Sequence, residues 1–150
     1  MRKKNDGRGY DLDYYNLYLR RYLTEHHFPE AEDEILIAAR AEAASNVYVE
    51  SRLTGDEVFI SSEKAMDCLL DGFEISSYEL ISGILADEFS DHISLDERSL
   101  DFWTNIFLQE LQPEFKDIEL SEEYLSTNEG VIFKLVLSGR IAEYFDEYGL

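Results

Sequence analysis

The sequence of 150 residues predicts an all-α protein: a single multihelical domain of five or six helices packed around a central apolar C-terminal helix. Three observations predict this fold class. Apolar residues recur at the three- and four-residue spacing of amphipathic helices. Ser-x-x-Glu patterns, which are typical of helix starts, begin at residues 76, 94 and 126. No pair of segments shows the alternation of apolar and polar residues that half-buried strands require.

The chain length predicts one domain, because 150 residues is a typical domain size. The 9 Phe and 10 Tyr residues and the 45% hydrophobic content are typical of a globular core. Residues 1–9 contain Arg2, Lys3, Lys4 and Arg8, and we expect them to form a basic mobile tail. The single all-helical domain is then expected to span residues 10–150.

Three helices are predicted in the first half of the domain. The first covers residues 11–27, with Leu12, Tyr15, Leu19, Tyr22 and Leu23 near one face. The second covers residues 30–53, because its start is acidic and its middle is rich in alanine, a strong helix former. The third covers residues 56–70, although its first three apolar residues could also form a short extended piece.

The second half of the domain begins with a helix after Ser76, and the Ser94 pattern opens another that ends at Pro113. Residues 114–125 lack clean periodicity and are predicted to be loop with a turn or two of helix. The last helix follows the Ser126 pattern. Its apolar run at residues 131–137 is interrupted only by a lysine, so we expect it to be buried on most sides.

The charge balance limits the kinds of partner. The chain has 13 Lys and Arg against 33 Asp and Glu, a net charge of −20. Such an acidic body repels nucleic acid phosphates and anionic lipid, so neither direct nucleic acid binding nor membrane association is expected. The lone Cys68 cannot form an intramolecular disulfide, and no secretory signal pattern follows Met1, so the expected location is the cytoplasm.

Metal binding has one candidate location. Glu88 and His92 are four residues apart on a predicted helix, with Asp87 and Asp91 beside them. Carboxylate and imidazole groups at this spacing can hold a metal ion, which would suit a metal-dependent hydrolase. An exposed acidic helix end is the more ordinary interpretation, and no cofactor is predicted.

Nucleophilic catalysis has two superficial matches. Ser61 and Lys64 have the Ser-x-x-Lys spacing of serine acyl-enzymes, but the accompanying Ser-Asp-Asn and Lys-Thr-Gly motifs do not occur. Cys68 lies among apolar residues with no basic neighbour in sequence, so an inert core thiol is expected. The sequence therefore contains no assembled catalytic motif.

A row of tyrosines recurs every four residues at Tyr10, Tyr14, Tyr18 and Tyr22, and Trp103 is the sole tryptophan. The row drifts around a helix because one turn takes 3.6 residues, so it cannot all face one core. Two interpretations are open. These residues are either half-buried packing residues or an aromatic contact patch for a partner, because Tyr and Trp are favoured anchors of interfaces.

Several stretches resemble a known family. They are YYNLYL at residues 14–19 with the YL pair that follows, IAARAEAA at 37–44, residues 77–89, and the ending YFDEYGL at 144–150. Together they resemble an uncharacterised family of Bacteroidetes, domain of unknown function 1896, over residues 14–150. The basic tail and residues 56–60 depart from its usual pattern. The resemblance implies an all-helical cytoplasmic protein, often encoded near conjugative elements, and it supplies no catalytic residues.

The function that the sequence favours is that of a small acidic interaction or regulatory protein without catalysis. Its expected partner is a protein, and a homodimer through the tyrosine row is compatible with this hypothesis. A sharper hypothesis is a DNA mimic, whose carboxylates imitate phosphates and occupy a basic DNA-binding protein. The alternative from another class is the metal-dependent hydrolase that uses residues 87–92.

Overall fold

The computed structural model describes residues 12–149. The basic tail expected at residues 1–9 and the candidate Tyr10 therefore lie outside the described residues. The chain divides into two compact units, Met1–Phe73 and Glu74–Leu150. The single domain that the sequence predicts over residues 10–150 stays a prediction.

The first unit contains helices α1 (Leu12–Glu25), α2 (Glu34–Leu53) and α3 (Val58–Leu70), with a short 3₁₀ helix at Pro29–Glu32 before α2. Proline starts this 3₁₀ helix because its fixed backbone angle suits a first turn. Asp33 caps α2 by accepting a hydrogen bond from the backbone N–H of Leu36 at 3.0 Å. The core of this unit is formed by Tyr15, Leu19, Leu23, Phe28, Ile37, Ala41, Ala44, Tyr48, Ala65, Leu69 and Phe73.

The second unit contains α4 (Ser77–Glu88), α5 (Glu97–Glu110), α6 (Gln112–Phe115), α7 (Glu122–Leu125) and α8 (Asn128–Glu147). Its core lies between α4, α5 and α8, whose apolar residues recur every three or four positions. The buried residues of this core are Leu80, Ile81, Ile84, Leu85, Phe89, Ile93, Phe107, Leu111, Phe133, Leu137, Ile141 and Phe145.

The predicted all-α class is confirmed, because the described residues form helices and no strand. Six of these helices are 12 or more residues long, as expected from the sequence. α7, of four residues, is a turn of helix of the kind predicted within residues 114–125. α6, also of four residues, begins at Gln112, before that range, and contains Pro113. The prediction of one central C-terminal helix needs correction, because the buried residues of α8 belong only to the core of the second unit.

One of the three predicted capping boxes is confirmed. Ser76 accepts from the backbone N–H of Glu79 at 3.1 Å, and the Glu79 carboxylate accepts in return from the Ser76 N–H. The other two helices start later than predicted. Asp96, not Ser94, caps α5, and Thr127, not Ser126, caps α8. Ser126 cannot open α8 because it ends α7.

None of the helices in the described part of the chain combines the length and the apolar character that a membrane crossing requires.

Candidate interaction site

The N-terminal end of α8 is fixed by a cap and by a close backbone contact. The Thr127 side chain accepts a hydrogen bond from the backbone N–H of Gly130 at 3.0 Å. A β-carbon at Gly130 would lie 2.1 Å from the Tyr124 carbonyl oxygen and 2.6 Å from the Leu125 Cα. Glycine is therefore required here, because only a residue without a side chain lets α7 and α8 approach so closely.

The inner face of α8 is defined by four residues spaced four apart: Phe133, Leu137, Ile141 and Phe145. The Phe145 ring has its centroid 5.4 Å from that of Phe107 and 5.5 Å from that of Trp103, both on α5. Near the other end, Phe133 meets Phe115 edge to face at 5.3 Å. These contacts at both ends fix the rotation of α8 about its axis, and with it the face that points to solvent.

The outer face of α8 carries large aliphatic side chains in water. The exposed fractions are 50% for Val131, 59% for Ile132, 65% for Leu135 and 40% for Val136. The prediction that residues 131–137 are buried on most sides is therefore wrong. Seven residues cover almost two turns of helix, so a helix that packs by one side must turn part of such a run outward.

The outer face continues with two small residues, Gly139 and Ala142, which are also exposed. A β-carbon at Gly139 would meet no atom within 4 Å, so packing within the chain does not require glycine there. We call this outer face the α8 stripe; it consists of Val131, Ile132, Leu135, Val136, Gly139 and Ala142. It extends for three turns of helix, and the charged residues of α8 within this length, Lys134 and Arg140, lie beside it.

The α8 stripe lies in the more acidic half of the protein. Residues 74–150 hold 18 acidic and 4 basic residues, whereas residues 1–73 hold 15 acidic and 9 basic residues. One of the four basic residues, Arg140, is paired with Glu114 at 3.2 Å and lies 3.9 Å from Glu143. Little positive charge therefore remains to balance the carboxylates of the second unit.

A cavity of about 320 Å³ lies beside the C-terminal half of α8. It is lined by Phe107, Tyr144 and the aliphatic Leu111, together with acidic side chains and Arg140. Because Arg140 is held by Glu114, its guanidinium is already occupied within the chain. The lining offers no serine, cysteine or histidine, and its ionisable side chains are four glutamates, Tyr144 and Arg140.

The candidate tyrosines have different surroundings in the structure. Tyr14 and Tyr18 lie exposed on α1, with ring centroids 6.2 Å apart. Tyr22 is half-buried and donates a hydrogen bond to the Phe73 carbonyl oxygen at 2.7 Å. Tyr22 therefore helps to hold the end of the first unit. Of the three candidate tyrosines that the structure describes, Tyr14 and Tyr18 present large exposed surfaces.

Trp103 is half-buried on α5 and packs against the core of the second unit. Its ring stacks on that of Phe107, with 6.3 Å between centroids and 29° between planes. The neighbouring Phe102 is the aromatic residue of α5 that is largely exposed. Helical spacing separates the two positions, because Trp103 is three residues after Leu100 and four before Phe107. Phe102 lies about 100° away from Trp103 around the helix.

The candidate metal ligands are both exposed on the second unit. Glu88 lies in the last turn of α4, and the His92 ring stacks on Phe145 with 5.0 Å between centroids and 20° between planes. Within residues 12–149 no group of three or more His, Cys, Asp and Glu side chains is arranged to hold a metal ion. The structure thus assigns His92 a packing contact with Phe145.

The Ser61-x-x-Lys64 pattern forms part of a hydrogen-bond network between α2 and α3. Ser61 is fully buried and donates to the Ser51 hydroxyl at 2.8 Å, and Ser51 donates to the Asp56 carboxylate at 2.6 Å. Lys64 contacts the same carboxylate at 2.7 Å. The hydrogen bonds from Lys64 and Ser51 lower the pKa of Asp56 below its ordinary value. A buried serine in such a network cannot reach a substrate.

Cys68, predicted to be an inert core thiol, is only half-buried. It lies in the last turn of α3, where Arg40 reaches across from α2 to the backbone carbonyl oxygens. The buried residue of this turn is the adjacent Leu69.

The α8 stripe was not identified as a site from the sequence. The signal that could have found it was the excess of apolar residues: the run at 131–137 contains more large aliphatic side chains than one buried helix face can accommodate.

Comparison with known proteins gives a family and a fold. A family model described as "Domain of unknown function (DUF1896)" matches residues 8–150. The crystal structure of protein PG0816 from Porphyromonas gingivalis is similar to this chain, with a TM-score of 0.80 and 22% sequence identity. The match covers 91% of this chain and 92% of that chain, and at this identity it shows the fold alone. No curated protein matches the sequence.

Proposed function

The chain belongs to the family described as domain of unknown function (DUF1896), and we propose that it is a non-catalytic protein that binds a protein partner through the α8 stripe. One observation carries this proposal: four large aliphatic side chains on a single helix face are 40–65% exposed to water. Contiguous exposed apolar surface is typical of protein interaction sites, because its burial against a partner is favourable. Full burial of each such side chain contributes roughly 1.5–3 kcal/mol.

The positions of the catalytic candidates support a non-catalytic function. Ser61 is enclosed between α2 and α3, and His92 packs against Phe145. For the hydrolase alternative, which uses residues 87–92, the described residues bring together no group of three or more side chains that could hold a metal ion. The interaction proposal in contrast uses a surface that the described residues 12–149 leave exposed.

A DNA mimic is the finer form of the same proposal. The concentration of acidic residues in 74–150 supports it, because a mimic needs a dense band of carboxylates. The outer face of α8 does not supply such a band, since residues 130–142 contain neither Asp nor Glu. We therefore propose the apolar stripe, and not a row of carboxylates, as the contact surface of α8.

The test compares two double variants with the wild type in pull-downs from lysate of the native host. Ile132→Glu/Leu135→Glu places charges in the α8 stripe. Ile35→Glu/Phe59→Glu is the matched control, because these side chains are 83% and 65% exposed and lie in the first turns of α2 and α3. Glutamate is tolerated in first turns because of the helix dipole.

We expect the wild type and the control variant to retain a partner that the α8 variant loses. This partner should stay bound to the wild type at high salt, where charge attraction is screened. Circular dichroism should show that all three proteins are equally folded. The proposal is wrong if every protein retained by the wild type is retained equally by the α8 variant.

A further inference from the structure

We propose that the partner of the α8 stripe is a basic amphipathic helix of another protein, with an apolar face flanked by Lys and Arg. This inference rests on the proposed function and adds the chemical class of the partner. Three features of the second unit carry it: the shape of the stripe, the small residues at its C-terminal half, and the charge around it.

The shape of the stripe suits a helix. Ile132, Leu135, Val136 and Gly139 are spaced as i, i+3, i+4 and i+7, which places them on one face. From residue 131 to residue 142 the stripe is about 17 Å long, since each residue rises about 1.5 Å. An amphipathic helix of three to four turns covers this length with its own i, i+3, i+4 and i+7 residues.

Gly139 indicates a close approach of the partner. Glycine inside a helix costs roughly 0.5–1 kcal/mol relative to alanine, and the space beside Gly139 is empty. No contact with the described part of the chain offsets this cost. A second helix that crosses the stripe at Gly139 and Ala142 would benefit from the missing side chain, because small residues let helix backbones come close together.

The surrounding charge selects a basic partner. With 18 acidic and 4 basic residues, the unit that contains the stripe attracts Lys and Arg and repels carboxylates. Lys134 and Arg140 lie beside the stripe on α8, but Arg140 is paired with Glu114. The exposed acidic residues at the two ends of the stripe are Glu129, Glu143 and Asp146. A second copy of this chain would bring the same excess of negative charge to the interface. An anionic membrane surface would be repelled for the same reason. Charge complementarity therefore favours a basic helix over both.

The experiment measures binding of three synthetic peptides to the full chain by fluorescence anisotropy. The first is a basic amphipathic helix with leucine at i, i+3, i+4 and i+7 and lysine elsewhere. The second has the same leucines with glutamate in place of lysine. The third has the composition of the first, with leucines scrambled so that they share no face. We expect binding of the first peptide, and at least about tenfold weaker binding of the other two.

Variants of the chain separate apolar contact from general charge attraction. Leu135→Glu adds a negative charge, so a purely electrostatic complex would become tighter, whereas we expect the basic peptide to bind about tenfold more weakly or worse. Gly139→Ala should also weaken binding. Gly83→Ala is its matched control, because Gly83 lies within α4 and a β-carbon there would likewise meet no atom within 4 Å.

Each outcome decides the question. If the basic peptide does not bind at about 100 µM, or if the scrambled peptide binds equally well, the inference is wrong. If the basic and acidic peptides bind equally well and Leu135→Glu abolishes both interactions, the partner need not be basic. The proposed function would remain intact in that case. If sedimentation shows that the wild type is a dimer and the Leu135→Glu variant a monomer, the inference is wrong and the partner of the stripe is a second copy of this chain. The proposed function itself fails only if the lysate comparison also shows no loss of a partner.

Discussion

Gly130 lies so close to Tyr124 that a β-carbon at Gly130 would be 2.1 Å from the Tyr124 carbonyl oxygen. The neighbouring atoms are backbone of α7, which cannot rotate away as a flexible side chain can. This contact sets where α8 begins and holds it against the short helix before it.

Gly130→Ala should therefore destabilise the protein. We expect the free energy of unfolding to fall by about 1–3 kcal/mol or more, because the backbone of α7 must move to admit the methyl group. Denaturant unfolding followed by circular dichroism measures this change. The control is Gly139→Ala, where the added methyl group meets open space and should raise stability by about 0.4–1 kcal/mol. Equal stability changes for the two variants would contradict the close contact at Gly130.

Arg40→Lys should destabilise the first unit. The Arg40 guanidinium donates to the carbonyl oxygens of Leu69 at 3.0 Å and Asp71 at 2.8 Å, at the end of α3. It also lies 5.1 Å from the centroid of the Phe73 ring. Lysine cannot reproduce a planar group that bonds two carbonyls and stacks on an aromatic ring, so we expect a loss of about 1–2 kcal/mol.

The control for Arg40 is Arg21→Lys, since Arg21 is exposed on α1. Chemical denaturation of both variants measures the difference. A cost for Arg40→Lys no larger than that for Arg21→Lys would show that the contacts with the end of α3 contribute nothing to stability.

The Asp56 network predicts a pH dependence of stability. Hydrogen bonds from Lys64 and Ser51 lower the pKa of Asp56 in the folded state below 3.8. A carboxyl group whose pKa is lower in the folded state stabilises the protein fully above its unfolded pKa. This contribution is lost as the pH falls through the folded pKa, because Asp56 is then protonated in the folded state as well as in the unfolded state.

The measurement compares the wild type with Asp56→Asn in denaturant unfolding at several pH values. The variant should be less stable at neutral pH, and the difference should shrink as the pH falls below 3.8, the ordinary pKa of aspartate. Glu63→Gln, a change at an exposed position of α3, should show no such dependence. A difference between wild type and Asp56→Asn that stays constant through this range would exclude the network as its source.

His92→Ala tests packing against metal binding. The His92 ring stacks on Phe145 at 5.0 Å, so its removal should lower stability by about 0.5–1.5 kcal/mol. Glu88→Gln, at the exposed end of α4, should change stability by less than about 0.5 kcal/mol. We further expect a chelator to leave the thermal midpoint of the wild type unchanged. Near-stoichiometric metal in protein purified without an affinity tag, lost in His92→Ala, would support the hydrolase alternative instead.

The helices could be predicted from sequence because their signals are local. Periodic apolar residues and the Ser76 capping box act within one or two turns, so they can be read without knowledge of the rest of the chain. Helix starts were misplaced by one or two residues at α5 and α8, where Asp96 and Thr127 competed with neighbouring serines for the cap. Adjacent Ser, Thr and Asp residues all suit this position, and the path of the preceding turn decides among them.

The candidate site was less predictable than the fold. Tyr22 and Trp103 are residue types that often anchor interfaces, but each contacts a residue of this chain that is distant in sequence. Tyr22 donates a hydrogen bond to Phe73, and Trp103 packs against Phe145. Residues 131–137 were expected in the core because apolar character measures the tendency to leave water. It does not indicate which neighbour will cover the side chain.

The sequence by itself determined the helical class, the excess of acidic residues and the three- to four-residue spacing of core residues. These properties depend on composition and on spacing along one chain. Only the tertiary structure decided which side of α8 is buried. Phe133 and Phe145 find aromatic partners from α5 and α6, and this fixes the helix rotation. Val131, Ile132, Leu135 and Val136 are left in water because a helix packed by one face cannot bury the opposite one.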